Sequence, residues 1–290
     1  MTIVVTGATG QLGRLAVEAL LRRGADPRDV LATGRDTARL ADLASLGVRT
    51  AVVDYDDRAT LDTAFEGADR VLFVSGSEVG RRIAQHTTVV AAAKAAGVSL
   101  LVYTSIPKAD TSGLVLAADH LATERLIRES GVPFSLLRNS WYLENYLPQI
   151  PTYLEHGVVG SAGEGRVSAA TRADYADAAA VVLLADDSAG TVHELGGESF
   201  TLAELAAAVA DASGREVTYT DVPAEQLTEI LVGAGLPRGY AEVLADADTG
   251  LARGDLEVTS GDLERLIGRR PTSYREAVAE AVRDLAPSAR

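Results

Sequence analysis

The 290-residue chain contains no cysteine. Disulfides, thiolate nucleophiles and cysteine-ligated metals are excluded with it. His156 and His193 show no metal-ligand spacing, so no metal site is expected. Basic residues are scarce beside acidic ones, 27 against 41, for a formal charge of −14. Such a surface repels nucleic acid and anionic membrane, and neither is an expected partner. A local glycine turn with a few arginines can still attract an anion into one cleft. No apolar run approaches the ~20 residues that a membrane helix needs, so membrane insertion is not expected. The opening MTIVVTGATG lacks a basic flank and breaks at Gly7, which reads as a strand and not as a secretory leader. The expected compartment is the cytoplasm, which a cysteine-free chain allows. A homo-oligomer is compatible with all of this.

What is present is a strand–helix alternation. Ile3–Val5 is a short apolar strand, and Leu12, Leu15, Ala16, Ala19 and Leu20 then recur with the spacing of one helical face. Further strands read at 30–33, 49–53, 71–74, 100–103 and 134–137, separated by helical segments near 37–45, 57–66, 79–96 and 117–130. Apolar strands without alternation, spaced by helices, imply a parallel sheet covered on both faces. Right-handed crossovers make it a doubly wound α/β fold of the Rossmann type. After Asn139 glycine and proline break the pattern repeatedly. A helix follows near 172–185, strands near 192–195 and 216–219 flank another near 201–212, and the remainder is mainly helical. The expected division is a dinucleotide-binding domain from residues 1–140 with roughly 170–198, and a smaller, mainly helical substrate lobe from roughly 141–169 and 199–290.

The strongest motif is Thr6-Gly7-Ala8-Thr9-Gly10-Gln11-Leu12-Gly13, placed directly between strand and helix. A helix N-terminus offers unpaired N–H groups and a partial positive charge to a pyrophosphate. Gly7 would permit the tight turn, Gly10 the close approach of phosphate, and Gly13 the packing of helix on strand. Thr9, Gln11 and Leu12 complete the expected cradle. Arg35, after the second strand, can grip a 2′-phosphate through its planar fork, so NADPH is expected over NADH. Arg39 would add a second positive charge, whereas Asp36, if turned inward, would favour NADH. Asp54 reads either as a partner for the adenine amino group or as a helix N-cap. Ser75, Gly76 and Ser77 end the fourth strand, on the side of an open sheet where ligands bind.

Together with Tyr103-Thr104-Ser105, His120-Leu121-Ala122-Thr123-Glu124, Leu137 to Asn145 and Ala170 to Ala176, the glycine turn resembles the NmrA-like branch of the atypical short-chain dehydrogenases. The stretches Ser77-Glu78-Val79-Gly80 and Ala109-Asp110-Thr111-Ser112 strengthen the likeness, which runs over nearly the whole chain. It implies NADPH binding and direct hydride transfer to a quinone-like small molecule, without flavin. One departure matters. The tyrosine and lysine that most short-chain dehydrogenases use as proton donor are here Leu116 and His120. Carbonyl chemistry of the ordinary kind is not expected, whereas an activated quinone accepts hydride readily, and the protein must chiefly supply position and shelter from water. The alternative is an NADP(H)-binding redox sensor without turnover.

Thr104 and His120 are the expected catalytic contacts, and both, with Asn139, are expected beside the cofactor. Leu116, His120 and Glu124 share a helical stripe, so Glu124 could fix the imidazole tautomer, with a structural His–Glu contact holding helix to sheet as the competing role. His86 reads as a helix-to-sheet contact. Trp141, Tyr142 and Asn145, in a stretch holding the one tryptophan, are expected to bind the planar acceptor, with packing of the two lobes as the competing role.

Overall fold

The computed structural model describes residues 1–78 and 80–285. Its first half alternates as the apolar runs require: β1 (Ile3–Val5), α1 (Gln11–Arg22), β2 (Val30–Gly34), α2 (Thr37–Ala44), β3 (Arg49–Val52), α3 (Arg58–Phe65), β4 (Arg70–Phe73), α4 (Arg82–Ala96), β5 (Leu100–Ser105), α5 (Val115–Ser130) and β6 (Phe134–Asn139). Then follow α6 (Ile150–His156), β7 (Val158–Gly160), β8 (Arg166–Val167), α7 (Arg172–Leu184), β9 (Thr191–Leu195), β10 (Phe200–Thr201) and α8 (Leu202–Ser213). The chain continues through β11 (Tyr219–Asp221), α9 (Ala224–Gly233), α10 (Arg238–Ala252), α11 (Asp262–Ile267) and α12 (Tyr274–Leu285).

Seven strands form one sheet in the order β3-β2-β1-β4-β5-β6-β9, and every neighbouring pair is parallel. The chain starts in the middle, winds outward through β2 and β3, returns beside β1 as β4, and winds the other way. Order therefore reverses between β1 and β4, and a crevice opens there at the carboxyl ends of the strands. One face is covered by α1, α2, α7 and α11, around Val5, Ala16, Leu20, Leu43 and Tyr175. The other is covered by α3, α4 and α5, around Leu61, Phe65, Phe73, Val89 and Tyr103. A strand covered on both sides has no polar face, which is why alternation is missing from its sequence.

A third core lies away from the sheet, formed by α6, α8, α10 and α12 with two small β pairs, β7 with β11 and β8 with β10. Phe200 stacks on Tyr274 at 4.4 Å at its centre. The strands β7, β8 and β10 are two or three residues long, too short to leave a periodic signal, and the glycine-broken stretch concealed them. The strand expected near 216–219 lies later, at Tyr219–Asp221. The helix expected from residue 79 starts at Arg82, and Val79 itself lies outside the described residues.

Candidate active site

Thr6, at the end of β1, donates from Oγ1 to the Leu72 carbonyl and accepts from the Val74 N–H, tying the chain leaving β1 to the end of β4. Gly7 then takes φ +61°, a left-handed conformation that favours glycine. The Gly10 N–H closes the turn on the Gly7 carbonyl at 2.9 Å. At Gly13 a side chain is excluded for another reason: a Cβ would strike the Gly7 carbonyl and Ala8 backbone. Gly10 caps α1 without a side-chain hydrogen bond. The first-turn N–H groups of α1 are therefore free for an external anion, where the helix dipole is most positive. These features fit a dinucleotide pyrophosphate.

A cleft of about 290 Å³ opens at this turn. Gly7, Thr9, Gly10, Gln11, Leu12 and Gly13 form one wall. Arg35, Asp54 and Tyr55 close the end toward β2 and β3, and Val74, Ser75, Gly76, Ser77, Glu78 and Gln85 form the opposite wall. The sequence-predicted cofactor residues from Gly7 to Ser77 thus converge. Tyr55, Glu78 and Gln85 were missed. Tyr55 directly follows a strand-end acid and was within reach of the same rule, but nothing local marks Gln85, which arrives from α4.

Several charged side chains have definite partners. Asp36 caps its own helix, accepting from Ala38 N and Arg39 N at 3.0 and 3.1 Å, and is not turned inward. Arg39 donates to the Thr9 carbonyl at 2.9 Å. Asp57, not Asp54, caps α3, while Asp54 accepts from Asp56 N. Arg35 pairs with Glu78 at 2.7 Å.

Behind the Ser75–Gly76 wall, β5, α4 and α5 supply buried support. The Ser75 N–H donates to Thr104 Oγ1 at 2.9 Å. The Gly76 peptide is held at both ends: its N–H donates to His86 Nε2 at 2.9 Å, and its carbonyl accepts from Arg82 Nε at 2.7 Å. With Nε2 accepting, His86 carries its proton on Nδ1 and donates to Thr123 Oγ1 at 2.8 Å. Burial, aided by the Arg82 charge, pushes the His86 pKa down to about 3, so the imidazole remains a neutral acceptor. His86 is the helix-to-sheet contact expected of it.

His120 is also buried, and burial, then the Arg82 charge, holds its pKa well below the ordinary imidazole value. Its Nδ1 lies 2.8 Å from the Tyr103 hydroxyl. The expected Glu124 partnership is not formed. Glu124 accepts instead from Ser105 Oγ at 2.6 Å and from Arg138 Nε and Nη2 at 2.9 and 2.7 Å. Four-residue spacing brought Glu124 to the right face, but a bidentate guanidinium from β6 is the stronger claimant. Asn139, at the end of β6, is 5% exposed and leaves Oδ1 without a partner. A buried unsatisfied acceptor asks for an external donor.

Trp141 and Asn145 do not line the nucleotide cleft. They line a separate cavity with Tyr146, Tyr153, Leu227 and Asp248, between the segment after β6 and helices α9 and α10. Tyr142 faces elsewhere, edge-on to Tyr175 at 5.5 Å and beneath the Arg172 guanidinium at 4.6 Å. Arg172 also donates to Asn145 Oδ1. Asp248 had no sequence signal. Burial raises its pKa from 3.8 to about 6, against the lowering effect of the Ser161 N–H.

The profile of the NmrA-like family matches residues 1–262. The chain belongs to the NmrA-like family. It is 44% identical to quinone oxidoreductase 2 of Escherichia coli strain K12 over 96% of its own length and 97% of that protein. The crystal structure of an E. coli NADPH-dependent quinone oxidoreductase complexed with NADPH superposes with a TM-score of 0.94 at 43% identity, over 96% of this chain and 99% of that one. Triphenylmethane reductase of Citrobacter sp. gives 0.92 at 35% identity, over 98% and 100%. Family and fold agree with the sequence-based resemblance. Among the described residues, no cluster of three or more His, Asp or Glu side chains is arranged to hold a metal, and no helix is long and apolar enough to cross a membrane.

Proposed function

We propose that this protein binds NADPH at the switch point between β1 and β4 and passes its hydride directly to a quinone or similar conjugated small molecule, without flavin or metal. The observation that carries the reading is the side-chain-free cradle of Gly7, Gly10 and Gly13 at an uncapped helix terminus. The family relatives support the same reading, because one is an E. coli quinone oxidoreductase and the E. coli NADPH-dependent quinone oxidoreductase was crystallised with NADPH.

When bound, NADPH supplies the hydride; the chain supplies position, shelter and hydrogen bonds. The α1 terminus with Thr9, Gln11 and Leu12 would hold the pyrophosphate, and Arg35 the 2′-phosphate, with Asp54 toward the adenine end. Ser75, Gly76 and Ser77 form the wall that Thr104 and His86 keep in place. Asn139 Oδ1 would accept a hydrogen bond from the carboxamide. His120 acts as a neutral imidazole and not as a proton store. With Tyr103 donating to Nδ1, its Nε2–H offers a hydrogen bond to an oxygen on which negative charge develops. The quinol anion then takes its proton from solvent. Residues 1–140 with roughly 170–198 serve the cofactor. Residues 141–169 and 199–290 serve the acceptor, through Trp141 and Asn145 with Tyr142 behind them. The compartment is the cytoplasm.

The test is loss of reduced-nicotinamide absorbance with a simple benzoquinone, after subtracting the uncatalysed reaction. Oxidation that saturates in both NADPH and quinone is the expected result. Saturable NADPH binding with no acceptor-dependent oxidation would overturn the enzyme reading and leave the redox sensor.

A further inference from the structure

Arg35 does not wait at the cleft mouth unpaired. Its Nη1 lies 2.7 Å from Glu78 Oε1, joining the segment after β2 to the segment after β4. Both residues line the cleft. The second carboxylate oxygen of Glu78 accepts from Arg81 Nη1 at 3.2 Å and Gln85 Nε2 at 3.3 Å. Arg81 and Gln85 in turn share Asp56, at 2.9 and 3.0 Å. The proposed 2′-phosphate subsite thus already contains a carboxylate bound to the guanidinium the phosphate needs. The arrangement does not read as a stability device. The two side chains retain 61% and 31% of their exposure, and pairs so open to water contribute little to folding.

We propose that Glu78 is a resident anion of the 2′-phosphate subsite, occupying Arg35 before the dinucleotide does and so setting cofactor selectivity and release. The inference rests on the reading of Arg35 as the phosphate-binding residue. An incoming phosphate must take Arg35 from Glu78, and then stands close to a like charge that Arg81 and Gln85 tether in place. Repulsion of that kind weakens NADPH and NADP⁺ without touching a dinucleotide that lacks the 2′-phosphate. The same contest favours departure of the oxidised cofactor, because Glu78 regains its partner as NADP⁺ leaves. Selectivity at this lip is then a balance between one guanidinium and one carboxylate, and not the property of Arg35 alone.

Calorimetric titration of the full chain with NADP⁺ and with NAD⁺ tests this, using wild type, Glu78→Gln, Arg35→Ala and the double variant. Both side chains are at the surface, and glutamine keeps the shape of glutamate while removing its charge and one acceptor oxygen. Glu78→Gln is expected to bind NADP⁺ about fivefold more tightly, the scale of one exposed charge interaction, while NAD⁺ changes less than about twofold. In the Arg35→Ala background the gain should vanish. Unchanged or weaker NADP⁺ binding by Glu78→Gln overturns the proposal, since Glu78 would then be inert or a supporting contact. An equal gain with Arg35 absent also overturns it, because the effect would be one of general charge. If Arg35→Ala leaves the NADP⁺ to NAD⁺ ratio intact, the Arg35 reading fails and takes the inference with it. Loss of that ratio with a silent Glu78→Gln removes the inference alone.

Discussion

The nucleotide cleft and the cavity of the helical lobe are built of different material. One is framed by backbone: a left-handed Gly7, an uncapped helix terminus and a Gly13 that excludes any side chain. The other is framed by side chains from Trp141 to Asp248, gathered from the segment after β6 and from α6, α9 and α10. A backbone site tolerates almost no change at a few positions. A side-chain site tolerates change at many, with effects that fall on one ligand. With the acceptor in the helical-lobe cavity, as proposed, the contrast would explain how one scaffold can keep its cofactor while relatives differ in acceptor, as a quinone oxidoreductase and a triphenylmethane reductase do.

The sharpest way to break the contrast is Gly13→Val. The added atoms meet the backbone of Gly7 and Ala8, which cannot yield as a flexible side chain would. NADPH affinity should fall by at least ~5-fold, the equivalent of the lower end of core overpacking. Calorimetry on protein shown to be folded by circular dichroism reads this directly. Undiminished binding would mean that the cradle is not where the pyrophosphate sits.

Between the two regions lies the buried Arg138–Glu124 pair, with Arg138 also reaching Asp110 and Glu194. Arg138→Met leaves the Glu124 carboxylate buried without its partner. The expected loss is about 3–5 kcal/mol of stability by denaturant titration, mostly recovered when Glu124→Leu is added. A single variant as stable as wild type would show that this network does not hold β6 to α5.

Asp248 sharpens the side-chain half. Its folded pKa of about 6 exceeds the ordinary 3.8, with burial as the main cause and the Asp221 charge adding to it. The folded chain therefore holds this proton more firmly than the unfolded one. Stability from this group is complete below pH 3.8 and is lost as pH rises through about 6. Asp248→Asn should remove that decline, gaining on wild type by on the order of 3 kcal/mol between acid and neutral pH. Parallel pH–stability curves for the two proteins would contradict it.

The smallest effect belongs to Trp141→Ala. The KM for quinone should rise roughly 3–10-fold, the value of one aromatic contact, while the KM for NADPH stays put. Equal rises in both would assign Trp141 to packing between the lobes.

What could be read from the sequence follows the same divide. The five inner strands announce themselves because burial on both faces demands unbroken apolar runs, whereas the edge strands β3 and β9 are only partly buried and carry polar residues. The phosphate turn announces itself because the left-handed backbone at Gly7 and the close approach at Gly13 call for glycine, and the spacing of Gly7, Gly10 and Gly13 is local. His86 could be placed against the sheet from its helical stripe. The partner of His120 could not be read, since spacing shows which residues share a face but not that Arg138, from another strand, takes Glu124 first. Glu78, Gln85 and Asp248 were illegible for a similar reason. Each gains its meaning from a residue distant in the chain, and no short-range pattern records that meeting. The short strands β7, β8 and β10 exist by pairing alone.

Direct hydride transfer from NADPH held in the switch-point cleft is open to test by transient kinetics. A preformed complex with NADPH, deuterated at the transferred position or not, is mixed rapidly with a quinone, and the reduced-nicotinamide absorbance is followed. The expected result is a decay that saturates with quinone, exceeds the solution reaction and slows with deuterium. A decay no faster than NADPH and quinone show without the protein would rule out hydride transfer in this cleft.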